Sequence, residues 1–216
     1  MRYCLAVFDM DGTILNTLED MTDSVNYSLR TFHMPERTLD EVRRFVGNGI
    51  PKLIGRAVPE GTDPELTQKV LAFYMDWYVS HCEIKTKPYE GINELLQKLR
   101  DAGVRTAVVS NKADPAVAKL AGLYFPGLFD CTVGAREGIA NKPAPDSVFE
   151  VLRSMNCEKK DAVYIGDSDV DVATAKNAGL DCLAVSWGFR DIPFLREHGA
   201  EVIVNEPAEL YRHIVG

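Results

Sequence analysis

This chain of 216 residues lacks the features that define several large classes of protein. Its five cysteines are scattered and form no CxxC pair, so we expect neither a zinc site nor a redox pair, but reduced, buried thiols. No apolar run approaches the ~18 residues that a membrane helix requires. The apolar run at residues 3–8 is too short for a signal peptide. These absences favour a cytoplasmic protein that does not enter the membrane.

The chain also contains fewer basic than acidic residues. Lys and Arg number 24 against 32 Asp and Glu, which gives a net charge of −8. A field of that sign repels a phosphate backbone and argues against nucleic acid as a partner. A small anionic substrate stays compatible with it where the charge is locally reversed. The length is that of one or two globular domains, and we expect a monomer or a small homo-oligomer.

Two hydrophobic periods alternate along the chain. Short apolar runs without polar alternation are typical of strands covered on both faces. They occur at residues 3–8, 105–109, 131–133, 162–165, 182–185 and 201–204. Helical stripes lie between the later runs, and Asp114 before Pro115 predicts a helix N-cap. The alternation predicts an α/β protein with a three-layer, Rossmann-like core and a mostly parallel sheet.

The segment between the first strand and Pro88 follows a different pattern. It contains no strand candidate, and its apolar residues step by three and four in two long stripes, around Val25 and around Tyr74. We therefore predict a helical subdomain over residues 16–84. It would be inserted into a core made of residues 1–15 and 85–216, with segments 12–16 and 85–91 as its two hinges.

Side chains that carry chemistry stand near four predicted strand ends. They are Asp9-Met10-Asp11-Gly12-Thr13, Ser110-Asn111-Lys112, Asn141-Lys142-Pro143 and Gly166-Asp167-Ser168-Asp169-Val170-Asp171. In an open parallel sheet, ligands bind beyond the carboxyl ends of the strands. Two acids packed together there are unfavourable unless a cation or a shared proton relieves them. Taken singly, each pattern also fits an ordinary turn, helix cap or surface lysine, and for Lys142 the surface lysine is the favoured interpretation.

Taken together and in this order, the four patterns resemble the motifs of the haloacid dehalogenase superfamily, in its phosphoglycolate phosphatase-like branch. The resemblance covers nearly the whole chain, since residues 175–179 continue the last motif and residues 187–189 match a frequent downstream loop. The inserted helices look like the mobile, all-α cap of this family. Asn16 stands where many relatives have Asp, and we expect it to cap the first cap helix all the same.

The resemblance implies a Mg²⁺-dependent phosphoric monoester hydrolase that works through an aspartyl-phosphate. The implied catalytic residues are Asp9 as nucleophile, Asp11 as acid and base, and Lys142. The implied substrate-binding residues are Gly12, Ser110, Asn111 and Lys142. The implied metal ligands are Asp9, the backbone carbonyl of Asp11, and Asp167, and Asp171 would orient Lys142 or a metal-bound water. With Asp11 protonated, three carboxylates and Lys142 leave the bare site at −2, which Mg²⁺ would neutralise.

Several alternatives stay open within this resemblance. Asp11 favours phosphate esters over halides, because a halide leaves without a proton. Residues 46–51 look like a substrate loop of the phosphoglycolate phosphatase branch, but a plain turn fits as well. Arg43, Arg44 and Lys52 would be surface charges or contacts to a substrate carboxylate. A phosphoglucomutase-like phosphotransferase would use the same motifs. A non-catalytic regulatory or binding module is the alternative from another class, although it has no need of two adjacent acids. The expected partner is a small phosphorylated metabolite.

Overall fold

A computed structural model describes residues 2–216. The elements, in chain order, are β1 (Leu5–Phe8), β2 (Leu15–Asn16), α1 (Leu18–Thr31), α2 (Leu39–Phe45), α3 (Ile50–Ala57), α4 (Pro64–His81), β3 (Lys87–Pro88), α5 (Ile92–Asp101), β4 (Arg105–Ala113), α6 (Asp114–Tyr124), β5 (Cys131–Ala135), α7 (Asp146–Ser154), a short 3₁₀-helix (Lys159–Asp161), β6 (Ala162–Gly166), α8 (Asp169–Ala178), β7 (Asp181–Val185), α9 (Ile192–Glu197), β8 (Val202–Val204) and α10 (Pro207–Val215).

The chain divides into two compact units. One contains the residues up to Asn16 together with Pro88–Gly216, and the other is Thr17–Lys87. The two-residue strands β2 and β3 lie where the chain passes from one unit to the other. They show that the expectation of no strand before Pro88 is wrong, because a pair of residues is too short to carry a period. The interpretation of the two units as a catalytic core and a cap stays a prediction.

The first unit is built on a six-stranded sheet in the order β5-β4-β1-β6-β7-β8. All neighbouring strands are parallel. Strand β1 is central, since Leu5 pairs with Arg105 of β4 on one side and with Ala162 of β6 on the other. The chain runs outward from β1 through β4 to β5 and then returns to β6. The strand order therefore reverses beside β1, which is where open α/β sheets bind their ligands.

Apolar side chains cover both faces of β1, which explains its unbroken apolar run. Leu5 and Val7 belong to a buried cluster with Val148 of α7 and Ala175 of α8. Because side chains alternate along a strand, Phe8 points to the opposite face. There its ring meets that of Phe129 edge-on, with 6.2 Å between centroids. The structure confirms the predicted α/β class with helices flanking a parallel sheet.

The second unit is helical, and α1 and α4 form its main contact. The ring of Tyr27 on α1 stacks on that of Trp77 on α4 at 3.9 Å. Asp20, in the first turn of α1, is buried, and its carboxylate accepts backbone hydrogen bonds from Lys85 at 2.9 Å and Thr86 at 2.8 Å. The start of the unit is thereby tied to the segment by which the chain leaves it.

Two helix caps differ from those expected. The N-cap of α1 is Thr17, which makes no side-chain cap hydrogen bond, while Asn16 lies in β2. Asp114 is the first residue of α6 rather than its cap. Its carboxylate accepts a hydrogen bond from the N–H of Gly134 at 2.7 Å, so it joins α6 to β5 instead of closing its own helix end.

The thiols and the membrane prediction can be compared directly with the structure. All five cysteines are free, but only Cys82 is fully buried and the other four are half-buried. The expectation of buried thiols is therefore wrong for four of them. Between residues 2 and 216, none of the helices combines the length and the apolar character of a transmembrane span.

Candidate active site

Four chain segments of the first unit bring polar side chains to one place. Asp9 follows β1 directly, and Asp167 follows β6. Ser110 lies on β4, which runs on to Ala113 and shifts its register against β5 after Val109. The strand therefore continues past the serine that was expected to close it. Since β1 lies between β4 and β6, three adjacent strands supply this site, β1 and β6 from their carboxyl ends and β4 from within the strand.

Lys142, in the loop before α7, occupies the centre of a buried charge network. Its Nζ lies 2.8 Å from Oδ1 of Asp9 and 2.7 Å from Oδ1 of Asp171, and it donates to the hydroxyl of Tyr164 at 3.0 Å. Burial alone would lower the pKa of Lys142, but Asp171 and Asp9 outweigh it and hold that pKa well above its usual range. The ammonium is therefore charged and fixed between two acids. Asp171 contacts Lys142, one of the two partners considered for it, and its orienting role stays a prediction.

Three buried acids form a cluster beside this lysine. Asp9, Asp167 and Asp171 each offer a carboxylate oxygen, and these oxygens lie within 4.8 Å of one another. Burial and the charge of Asp171 raise the pKa of Asp9 well above its ordinary value, and the same two causes raise the pKa of Asp167 to about 7. Such a set of hard oxygen donors, destabilised by mutual repulsion, fits a divalent cation. Two of the three expected metal ligands, Asp9 and Asp167, offer side-chain oxygens to this cluster.

Asp167 is held in one orientation by its neighbours. Thr13 donates to its Oδ1 at 3.1 Å, and the N–H of Phe189 donates to its Oδ2 at 2.7 Å. Gly12 has φ +88°, and a Cβ there would overlap the Asp167 carboxylate; a Cβ at Gly188 would overlap the same side chain. The downstream loop at residues 187–189 therefore serves to seat Asp167, and both glycines are required by its close approach.

Sequence reasoning missed a second buried lysine in the site. Nζ of Lys112 lies 2.9 Å and 3.0 Å from the two carboxylate oxygens of Asp11. The side chain of Lys112 is 2% exposed and that of Asp11 is 12% exposed. Residues two apart on a strand point to the same side. The spacing of Ser110 and Lys112 on one strand could therefore have indicated that the lysine also faces the site.

Two of the predicted substrate-binding residues make hydrogen bonds to other parts of the protein. The side-chain amide of Asn111 donates to the carbonyl oxygen of Lys142 at 3.0 Å and accepts from its N–H at 2.8 Å. This reciprocal pair ties β4 to the loop that carries Lys142. The N–H of Gly12 donates to the carbonyl oxygen of Leu15 at 2.9 Å. Direct contact of Asn111 and Gly12 with substrate stays a prediction.

Known proteins share this fold and about a third of its residues. Residues 6–185 match the family model of the haloacid dehalogenase-like hydrolases. A phosphoglycolate phosphatase of Pseudomonas savastanoi pv. phaseolicola is 33% identical over 210 residues, which cover 94% of this chain and 74% of the relative. Another from Mesorhizobium japonicum is 31% identical over 191 residues, covering 87% of this chain and 84% of that protein.

A crystal structure from Lactobacillus delbrueckii subsp. bulgaricus, described provisionally as a phosphoglycolate phosphatase, matches with a TM-score of 0.95 and 38% identity over 100% of both chains. This chain belongs to the haloacid dehalogenase-like hydrolase family. Within it, the chain falls in the phosphoglycolate phosphatase-like branch and is a phosphatase. The family and the class of enzyme predicted from the four motifs are thereby confirmed.

Proposed function

We propose that this protein is a Mg²⁺-dependent phosphatase of small phosphorylated metabolites, with phosphoglycolate-type substrates favoured. The observation that supports this most strongly is the convergence of two acids from one segment with two buried lysines from two others. Asp9 is paired with Lys142, and Asp11 is paired with Lys112. The chain's curated relatives, which are named phosphoglycolate phosphatases, support the choice of substrate.

In the proposed reaction, a carboxylate oxygen of Asp9 attacks phosphorus while the bond to the leaving oxygen breaks. The carboxyl of Asp11 gives its proton to that leaving oxygen. Asp11 then takes a proton from the water that attacks phosphorus, and the bond to Asp9 breaks to release inorganic phosphate. Ser110 and Lys142 would hold the phosphoryl oxygens during both steps. Catalysis of this kind depends on positioning and on charge compensation.

The charge balance of the site explains why a cation belongs in it. Four carboxylates, on Asp9, Asp11, Asp167 and Asp171, face two ammonium groups, on Lys112 and Lys142. With all of them ionised the site carries −2, which would repel a phosphate dianion. Asp9, Asp167 and the carbonyl of Asp11 would hold Mg²⁺, which would supply two positive charges next to the phosphoryl group. With Asp11 protonated, as its role as an acid requires, Lys112 brings the site to −1 instead of the expected −2.

Other features of the proposal concern the helical unit and the setting of the protein. Arg43 forms an exposed ion pair with Asp40 at 2.8 Å, and Arg44 and Lys52 are exposed. A contact of these cations with a substrate carboxylate stays a prediction, as does the use of residues 46–51 as a substrate loop. A cytoplasmic location and a monomeric or small oligomeric state stay predictions as well.

The proposal is tested by release of inorganic phosphate from a panel that includes 2-phosphoglycolate, glycerol phosphates and hexose phosphates. We expect activity with Mg²⁺ and none in excess EDTA, with the highest kcat/KM on phosphoglycolate. Asp9→Asn should lower turnover by more than about 10³-fold. Asp169→Asn, the same change in the same motif region but outside the acid cluster, is the matched control.

Three outcomes would contradict the proposal. The first is equal activity in EDTA and in Mg²⁺, which would remove the role of the metal. The second is activity of Asp9→Asn within tenfold of the parent, which would remove the nucleophile. The third is a sugar phosphate that is isomerised without release of phosphate, which would indicate a phosphotransferase of the mutase kind.

A further inference from the structure

We propose that Lys112 is a positioning residue that holds the carboxyl group of Asp11 in place for proton transfer to the leaving oxygen. The inference rests on the proposed function, because it takes the proton-transfer role of Asp11 from there. Lys112 belongs to the second of the four patterns, but the resemblance assigned it no role.

The geometry of the pair supports this assignment. Nζ of Lys112 is nearly equidistant from the two oxygens of Asp11, at 2.9 Å and 3.0 Å, so it contacts both oxygens and restricts rotation of the carboxylate about its Cβ–Cγ bond. Lys112 is itself held in place, because its side chain is buried and its backbone N–H donates a hydrogen bond to Oγ of Ser110 at 3.2 Å. A rigid strand thus carries the group that contacts Asp11.

The two lysines of the site contact different acids. Lys142 contacts Asp9 and Asp171, whereas Lys112 contacts Asp11. An ammonium group is strongly destabilised by burial unless it is paired, so a buried lysine at a reaction centre implies a specific partner. Lys142 is already engaged on the side of the nucleophile. We therefore assign Lys112 to the positioning of Asp11, the residue that acts as acid and base.

Positioning matters because a proton moves only over a short distance. The donor must lie about 2.6–3.2 Å from the leaving oxygen. A displacement of about 1 Å can lower a rate by about 10²-fold. The side chain of Asp11 is 12% exposed, so it borders on solvent and can rotate once Lys112 is removed.

The test uses the leaving group of the substrate. A nitrophenolate departs without a proton, whereas the alkoxide of an alkyl phosphate needs one. Loss of the proton donor's position should therefore lower kcat/KM for 2-phosphoglycolate much more than for 4-nitrophenyl phosphate. The ratio kcat/KM is the right measure, because it covers the steps up to departure of the leaving group and excludes the later hydrolysis of the aspartyl-phosphate.

We expect Asp11→Asn to lower kcat/KM for 2-phosphoglycolate by about 10²–10⁴-fold. Lys112→Met should lower it by about 10²-fold, with a loss at least about tenfold larger than that on 4-nitrophenyl phosphate. Lys112→Arg should restore part of the difference. In the Asp11→Asn background, Lys112→Met should add no further selective loss, because the two residues act as one unit. Lys98→Met, an exposed lysine of α5, is the control.

Two results would overturn the inference. An equal loss on both substrates would mean that Lys112 acts on the phosphoryl group or on the fold. A full selective loss in the Asp11→Asn background would mean that it acts independently of Asp11. Lys112→Gln, which keeps a donor, replaces Lys112→Met if circular dichroism shows that the latter does not fold. A wild-type protein that cleaves neither phosphate would instead refute the proposed function.

Discussion

Replacing Lys142 by Met removes the cation at the centre of the acid cluster and keeps much of the length of the side chain. The ammonium lies 2.8 Å from Asp9 and 2.7 Å from Asp171, and it is 3% exposed. Both carboxylates would then stay buried without their partner. Removing one member of a buried ion pair costs about 3–5 kcal/mol. We therefore expect the free energy of unfolding to fall by about 3–5 kcal/mol at pH 8 in EDTA.

The same loss should be much smaller at pH 5.5. Burial and Asp171 raise the pKa of Asp167 to about 7, and the pKa of Asp9 is raised as well. A carboxyl whose pKa is higher in the folded state than in the unfolded state destabilises the fold as pH rises from about 4 through the folded pKa. Without Lys142 the pKa values of Asp9 and Asp167 rise further. Protonation of these carboxyls at pH 5.5 then relieves the repulsion between the acids, which persists at pH 8.

Urea unfolding at both pH values, in EDTA, measures this difference. Far-UV circular dichroism should accompany fluorescence, because Trp77 and Trp187 lie in different units. Lys98→Met is the matched control, and a change at an exposed site should stay within about 0.5 kcal/mol. A loss under about 1 kcal/mol at pH 8, or an equal loss at the two pH values, would show that Lys142 does not balance the acids as argued.

Three further predictions concern the metal and the residues around it. Mg²⁺ should raise the Tm in calorimetry more at pH 8 than at pH 5.5, because carboxylates must be deprotonated to bind it; equal shifts would count against the acid cluster as its site. Gly12→Ala should lower the free energy of unfolding by more than Gly138→Ala does in urea titrations. Both glycines have positive φ, but only a Cβ at Gly12 would overlap Asp167. Equal losses would mean that backbone strain alone accounts for the destabilisation and that the overlap with Asp167 contributes nothing. Ser110→Ala should lower kcat/KM by about 10²-fold, and an unchanged kcat/KM would remove its hydroxyl from phosphate binding.

The fold could be predicted where burial leaves a simple pattern. Strand β1 is covered on both faces, so its residues form one apolar run that marks it clearly. Strand β2 has two residues, Leu15 and Asn16, and no pattern can identify so short an element. The sequence pattern places the N-cap of α6 at Asp114, whereas Asp114 is the first residue of that helix. Its carboxylate accepts a hydrogen bond from the N–H of Gly134, which lies 20 residues further along the chain. Local cap preferences cannot anticipate such a partner.

The site shows the same division between local patterns and distant contacts. The acids of the first and last motifs stand at strand ends, so the sequence could indicate that they meet. The partner of Asp11 is different, because Lys112 is 101 residues away and reaches it only through the pairing of β1 with β4. The roles of Gly12 and Gly188 likewise depend on the position of Asp167, which only the folded chain defines.

The buried carboxylate of Asp20 has a consequence for the helical unit as a transferable module. By accepting the N–H groups of Lys85 and Thr86, it keeps the first and last segments of this unit next to each other. Neighbouring termini are what allow one domain to be inserted into a loop of another. The unit Thr17–Lys87 therefore has the closely spaced ends that insertion into a host loop requires. Asp20→Ala would remove the hydrogen bonds that join the first and last segments of the unit.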